Sequence, residues 1–546
     1  MNTNKARYLA YIYTPYEQNP RLRVFLGDGD SDVAEVPLRA ISCAKGTLVS
    51  YELSTLAPFF GDEALALPPQ IIDLTEAARL IRGRPASSSD HCAIWNLLRR
   101  ETQYGAAAIQ LQSLIFRHGG REDGGNHTVV PLMRQVLRGV QELWRRTRDQ
   151  LETSGELGRF EAVEQPVGMV LLGAQQRGIR FNRSGVNQRL GELGETMARS
   201  AAALRTNWNV RRATDSSQLV QALGYDKRVR VDEVLRRPAL AVVIRARFDA
   251  ALDLLPQDHA LASEIKRFRA SSHDKSILLN MSARADDRVH PPFTVMGTVT
   301  GRALARTPAL QYLSRSTRSI LCADEGKQLL YPDFSQFEPG ILAEDSGDER
   351  LLQDFNTDDL YATLSQRVFG ATVRRKEAKL VFLSFCYGMS AARAAELIAP
   401  EPGATADVES LIATFFDEYS RLEPWRRSIY AQLEREGRIG SRCGNYRYRV
   451  RAERGLDSSE RRWSMSQRIQ GTASLILKRA ILRVERAGIA DLLLPMHDAA
   501  LYQVDVATVE ETKARIEREF VSAFVEECPH LKPRVKFQDF AEVTPA

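Results

Sequence analysis

Three short apolar runs in this chain each end on a charged residue. The first is Leu329-Leu330-Tyr331, inside Lys327–Glu338, which stops at Asp333 and is soon followed by the Gly/Asp-rich segment Asp345–Glu349. This pattern predicts a short buried strand that delivers one carboxylate at its C-terminal end. A carboxylate held there can bind a divalent metal while its strand stays fixed in a sheet. The second run lies in Val373–Ser390, where Arg375, Lys379, Leu383 and Tyr387 are spaced four apart. On a helix these positions line one slowly turning stripe. Its order, two cations and then an apolar and an aromatic side chain, suits the triphosphate and base of a nucleotide. Gly388 fits the end of that helix. The third run, Leu492–Val504, meets His497-Asp498 and continues as an apolar alternation, which reads as a hairpin with an acid at its tip. A second His-Asp pair, His273-Asp274, reads as a surface feature.

Elsewhere the periodicity is coarser. Residues 1–155 read as a separate α/β unit, with strands at Tyr8–Tyr13 and Arg23–Phe25 and a strand-and-helix alternation over Gly46–Phe60 and Pro69–Leu80. Ser87–Asp90 reads as a loop or cap and Arg117–His127 as a Gly-rich charged loop. Ser184–Asn207 is a long periodic helix, Ser216 reads as the N-cap of another, and Ala473–Val484 is a clear helix. Arg442–Arg451 interleaves cations with aromatics. On a strand, Arg447, Arg449 and Arg451 would share one face and could neutralise phosphates.

At 546 residues the chain should hold more than one domain. It is 44% hydrophobic and 26% charged, in the range of globular proteins, and no run of about 18 apolar residues suggests a membrane span. The first residues lack an apolar signal core. The 6 cysteines are scattered without a C-x-x-C pair, which argues against a zinc site or a disulfide framework and fits a reducing cytosol. A net charge of +6 permits nucleic-acid binding without demonstrating it.

Taken in order, the three runs resemble the polymerase motifs of family A DNA polymerases, the bacterial DNA polymerase I type. Asp333-Phe334-Ser335-Gln336-Phe337-Glu338 is similar to D-Y-S-Q-I-E. Arg375, Lys379, Leu383-Ser384 and Tyr387-Gly388 are similar to R-x-x-x-K-x-x-x-F-G-x-x-Y-G, and His497-Asp498-Ala499 to H-D-E. Further segments agree: Thr298-Val-Thr-Gly-Arg302 resembles T-x-T-G-R, Leu310-Gln311 the L-Q after it, and Gln470-Gly-Thr-Ala473 the Q-G-T-A helix. The likeness covers roughly residues 160–546, and a fainter one links Gly46–Leu80 to the family's 3′–5′ exonuclease domain.

The resemblance implies a multidomain α/β plus α+β fold. An exonuclease-like N-terminal domain, 1–155, would precede a right-hand polymerase fold, 156–546. Within the latter the thumb would span about 180–290, the palm about 291–345 and 465–546, and the fingers about 346–464. It also implies template-directed DNA synthesis with two Mg²⁺ ions, for which Mn²⁺ could substitute. Asp333, Asp498 and the Phe334 carbonyl would hold the metals, and Lys379 would protonate the leaving group. Arg375, Lys379, Leu383, Tyr387, Gln336 and Glu338 would form the nucleotide site, with Tyr387 near the template base and Glu338 against the sugar 2′ position. Thr298, Arg302, Gln311, Arg447, Arg462, Gln470 and His497 would meet primer–template DNA. The expected partners are primer–template DNA, deoxynucleoside triphosphates and replication accessory proteins, for a cytoplasmic monomer.

The chain departs from the pattern at Leu383 (Phe or Tyr in the family), Ser384 (Gly), Ala499 (Glu) and Pro339-Gly340 (Leu-Arg). The first two put sugar and base discrimination in question. No 5′-nuclease domain is expected. In the N-terminal unit only Glu52 and Asp73 stand out as nuclease acids, with the acids around Asp28–Asp32 as the alternative, so proofreading is not expected either. Two other readings compete: a metal phosphohydrolase, for which no paired histidine ligands are seen, and an inactive polymerase-like DNA-binding protein.

Overall fold

The computed structural model describes residues 6–14, 21–28, 33–63, 65–66, 68, 70–82, 92–118, 129–223, 252, 259–357, 359–370, 374–398, 405–450 and 454–541. Ser87–Asp90, Arg451 and most of the Arg117–His127 loop lie outside these residues.

The N-terminal unit is a five-stranded mixed sheet. Strands β1 (Arg7–Thr14), β2 (Arg21–Gly27), β3 (Val33–Val36), β4 (Leu48–Ser50) and β5 (Ile71–Asp73) stand in the order β3-β2-β1-β4-β5. β1 runs antiparallel to β2 and parallel to β4. Tyr8 to Ile12 are all buried, as a central strand covered on both faces requires. The long helix α1 (Val129–Ser154) covers the sheet through Met133, Val136, Leu137, Val140 and Trp144, the spacing of one helical face.

The rest of the chain is built on a four-stranded antiparallel sheet. β6 (Lys327–Phe334) lies between β8 (Ala500–Asp505) and β9 (Val535–Gln538), and β7 (Asp491–Pro495) forms the hairpin with β8. β6 pairs with β8 from Lys327 to Leu330 and with β9 from Tyr331 to Phe334. Pro332 lacks an amide hydrogen, and the ladder to β8 breaks around it. It reseals at an Asp333–Ala499 bridge. Below the strand, Phe334, Phe337, Phe520 and Phe524 stack with ring centroids 4.3 to 5.5 Å apart. The departure at Pro339-Gly340 follows from this packing. Pro339 falls in the first turn of α4 (Phe337–Ser346), where amides have no partner in the helix. A Cβ on Gly340 would stand 2.7 Å from the Phe355 ring.

Two long helices, α2 (Arg183–Trp208) and α3 (Ala260–Ser282), pack along one another. Helix α6 (Arg375–Cys386) lies beside α5 (Leu360–Phe369), and Gly388 follows it at φ +92, as expected. The last two long helices are α7 (Ser458–Arg486) and α8 (Val509–Glu527). Several expectations need correction. The helix read as Ala473–Val484 begins at Ser458, because Asp457 and Glu460 form a capping box. The cap before Ser216 is Asp215, whose carboxylate accepts from the Ser217 amide at 2.9 Å. Asp274 is not a surface residue: it is 3% exposed and accepts from Ser314 and Thr317.

Buried charges gather where the two units meet. Arg159 donates to Glu164 at 2.8 Å, and the Lys478 ammonium approaches the other Glu164 oxygen at 2.5 Å. Glu76, paired with Arg79, accepts from the Met296 amide at 2.9 Å.

Candidate active site

The register of β6 against β8 brings two aspartates together. The Phe334 amide donates to the Asp498 carbonyl at 3.1 Å, one step from the Asp333–Ala499 bridge. A slip of one residue would send one of the carboxylates to the other face. Burial, and then the Asp498 charge, push the Asp333 carboxyl up to about 7. One Asp498 oxygen is buried without a hydrogen-bond partner, with Arg302 at 3.7 Å. Two adjacent carboxylates, one raised and one under-satisfied, form a site that a divalent cation would stabilise. The Gln538 side chain donates to Asp333.

The aspartates form one wall of an open cleft of about 1120 Å³, with Gln336, Glu338, Arg375, Lys379 and Leu383 also lining it. Arg375 donates to Asp359 at 3.0 and 2.7 Å, and its guanidinium carbon lies 5.2 Å from the centre of the Tyr361 ring. Lys379 lies 5.9 Å from the same ring. Burial opposes ionisation of Asp359, but the Arg375 hydrogen bond and charge, together with the amides of Ala362 and Tyr361, outweigh it and hold the carboxyl below its ordinary range. Glu338 accepts from the Tyr387 hydroxyl and from Arg302 at 3.2 Å. Burial raises the Glu338 pKa. The Gln336 side-chain Oε1 accepts from the Leu360 amide at 2.9 Å, which ties the end of β6 to α5.

A sequence model described as DNA polymerase family A matches residues 230–536. This chain belongs to DNA polymerase family A. It is 27% identical over 442 residues to a thermostable DNA polymerase I from Thermus filiformis, covering 75% of this chain and 51% of that protein. It is 26% identical over 383 residues to DNA polymerase I from Treponema pallidum, covering 65% of this chain and 37% of that protein. The chain thus spans about half or less of these curated relatives. The polymerase domain of Pol1 from M. smegmatis, solved with DNA primer-template and dNTP, superposes with a TM-score of 0.74 at 20% identity, covering 98% of this chain and 95% of that one. The right-hand polymerase fold is therefore shared.

The remaining expected site residues lie in different settings. Arg302, Gln470 and His497 gather near the cleft: Arg302 between Glu338 and Asp498, Gln470 beside Tyr387, and His497 exposed beside Tyr312. Arg462 is exposed on the first turns of α7. Thr298 holds the turn that carries Arg302, accepting from its amide at 3.0 Å. Gln311 is a correction. It is 3% exposed, accepts from the Ala305 amide at 2.8 Å and donates to the carbonyls of Ala303 and Pro495. Its amide is used inside the protein and does not face DNA. The availability of Arg447 and Arg449 to phosphates is a second correction. Arg449 pairs with Glu460 at 2.9 Å, while Arg447 stacks 4.4 Å over Trp463 and loses basicity through burial.

Sequence reasoning missed Tyr361, Lys536 and Gln538, which also line the cleft. The period-two segment Val535–Gln538 signalled a strand. Nothing local said that it would pair with β6 and set Lys536 opposite Asp333.

Proposed function

We propose that this chain extends a primer 3′ end on a DNA template, adding deoxynucleotides by phosphoryl transfer. The observation that carries this reading is the bridged pair Asp333 and Asp498 facing Arg375 and Lys379 across one cleft. Phosphoryl transfer depends on positioning and charge neutralisation more than on covalent chemistry.

Asp333, Asp498 and the Phe334 carbonyl would hold divalent cations, two Mg²⁺ ions or Mn²⁺ in their stead. Bound there, these cations supply Lewis-acid stabilisation to the oxygens that gain charge. Arg375 exchanges its Asp359 partner for the triphosphate, Lys379 lies where it can hand a proton to the departing pyrophosphate, and both are braced by the Tyr361 ring. Glu338, fixed by Tyr387 and Arg302, stands as a wall against a 2′-hydroxyl. The reading takes residues of about 180–290 as thumb, 291–345 and 465–546 as palm, and 346–464 as fingers, acting as a cytoplasmic monomer.

Residues 1–155 are taken as an exonuclease-like unit without proofreading. Asp73 accepts from the amides of Glu52, Leu53 and Thr75 at 2.9 to 3.1 Å, and Glu52 accepts from the Ile94 amide at 3.2 Å. Both carboxylates are engaged with backbone amides, which supports this reading. The deciding experiment is extension of a labelled primer on a template with Mg²⁺ and all four deoxynucleotides. Template-dependent growth is expected, and its absence in folded protein removes the reading.

A further inference from the structure

The last strand brings to the cleft a charge that its neighbours leave unused. Lys536 on β9 stands directly opposite Asp333 on β6, so the two side chains share one face of the sheet. Opposite charges at such positions ordinarily attract one another into a pair. Here the Gln538 side chain, next along the same face of β9, donates to Asp333 instead. Lys536 is exposed, lines the cleft, and has no hydrogen bond or ion pair among the described residues. Arg534, just before β9 on the same wall, differs: its guanidinium donates to the Phe355 carbonyl at 2.8 Å.

The cleft therefore has cations on two walls, Arg375 and Lys379 from α6 and Lys536 from β9. The strand order gives the second wall a direction. β6 lies between β8 and β9, with Asp498 at the β8 edge and Lys536 on the β9 side. In phosphoryl transfer the attacking and leaving oxygens stand roughly in line across the phosphorus. A primer end that arrives beside Asp498 thus sends the leaving group toward β9. The primer 3′-oxygen, losing its proton to water, bonds to the α-phosphorus. The bond from that phosphorus to the bridging oxygen breaks, and its electron pair leaves with pyrophosphate. Negative charge grows on the leaving side in this step, so a cation placed there gains most after the bond has broken.

We propose that Lys536 binds the pyrophosphate product as it departs, in a subsite built by the last strand. The inference rests on the polymerase reading, which supplies the phosphates and the side from which the primer comes. A lysine suits the task. It is a compact charge on a flexible stem with three donors, able to follow a small anion outward, whereas Arg375 is held by Asp359. Gln538 keeps the ammonium available by occupying the Asp333 oxygen that it would otherwise claim.

The test is equilibrium binding of pyrophosphate, with Mg²⁺, to the full chain on a primer–template whose primer ends in a dideoxynucleotide, so that no turnover is needed. Lys536→Gln should weaken pyrophosphate about 5- to 30-fold, and Lys536→Arg should keep most of the affinity. Lys532→Gln removes the same charge from an exposed position outside the cleft lining and should not weaken it. Steady-state extension gives a second readout: in Lys536→Gln the Ki for pyrophosphate should rise by a larger factor than the KM for deoxynucleotides. Unaltered pyrophosphate affinity in Lys536→Gln, an equal loss in Lys532→Gln, or a KM that rises as much as the Ki overturns the proposal. If wild-type protein extends primers and Lys536→Gln keeps full pyrophosphate affinity, the proposal alone falls. If folded wild-type protein never extends a primer, the polymerase reading falls, and the proposal with it.

Discussion

Glu338 and Tyr387 are joined side chain to side chain, the tyrosine hydroxyl donating to a carboxylate that also faces Arg302 at 3.2 Å. A carboxylate held from two sides cannot swing away from an incoming sugar. Glu338→Ala should therefore raise ribonucleotide incorporation relative to deoxynucleotide by about tenfold or more, a difference of about 1.4 kcal/mol. Tyr387→Phe should raise it less, because Arg302 remains. Competition assays with both nucleotide types measure the ratio, and no change in an active Glu338→Ala removes the residue from this role.

Asp333→Asn and Asp498→Asn should each lower extension by about 10³-fold, or about 4 kcal/mol in the barrier. Duplex binding, measured by fluorescence anisotropy, should persist. Near-normal extension by either variant would rule out its carboxylate as a metal ligand.

Leu383 lines the cleft, and an aliphatic side chain cannot stack as an aromatic ring does. Leu383→Phe should shift the selection between deoxy- and dideoxynucleotides, read from chain-termination ladders. Identical ladders from the two proteins would argue that residue 383 does not touch the sugar.

Glu164 gives a pH-dependent expectation. Burial alone would raise its pKa, but Lys478 and then Arg159 outweigh burial and hold it below the ordinary value of 4.5. The unfolded chain therefore takes up this proton more readily than the folded one. The stabilisation is present above pH 4.5 and is lost as pH falls through the folded value. Glu164→Gln leaves two buried cations uncompensated and should cost about 3–5 kcal/mol at pH 7. Thermal melts should show the gap in Tm between the two proteins narrowing below pH 4.5.

The N-terminal unit should release no mononucleotides from a 3′-labelled single strand with Mg²⁺ or Mn²⁺ and no nucleotides. Steady release that survives in Asp498→Asn would identify a nuclease there.

Much of the site was legible because its signals are local. The run into Asp333, the four-residue spacing from Arg375 to Tyr387 and the hairpin around Asp498 each depend on neighbours in sequence. What sequence could not supply were choices of partner across the fold. Gln311 looked like an outward-facing glutamine until Ala305 and Pro495 closed around its amide. Arg449 looked like one of a row of phosphate contacts, but Glu460 is its partner. Gln538 reaches Asp333 only because the last strand pairs with β6. The early start of α7 is different: the D-S-S-E capping box at Asp457–Glu460 was present in the sequence and was overlooked.

The seam between the two units decides what counts as the smallest workable piece of this protein. Glu76 holds the Met296 amide, and the turn from Gly297 to Arg302 begins at the next residue. A fragment trimmed to start at 156 would lose that anchor and lay bare Leu172 and Met296, which pack in the N-terminal core. The arginine beside Glu338 is thus footed, through a few residues of main chain, in the first sheet. For anyone shortening the chain, the N-terminal unit is a foundation and not an ornament.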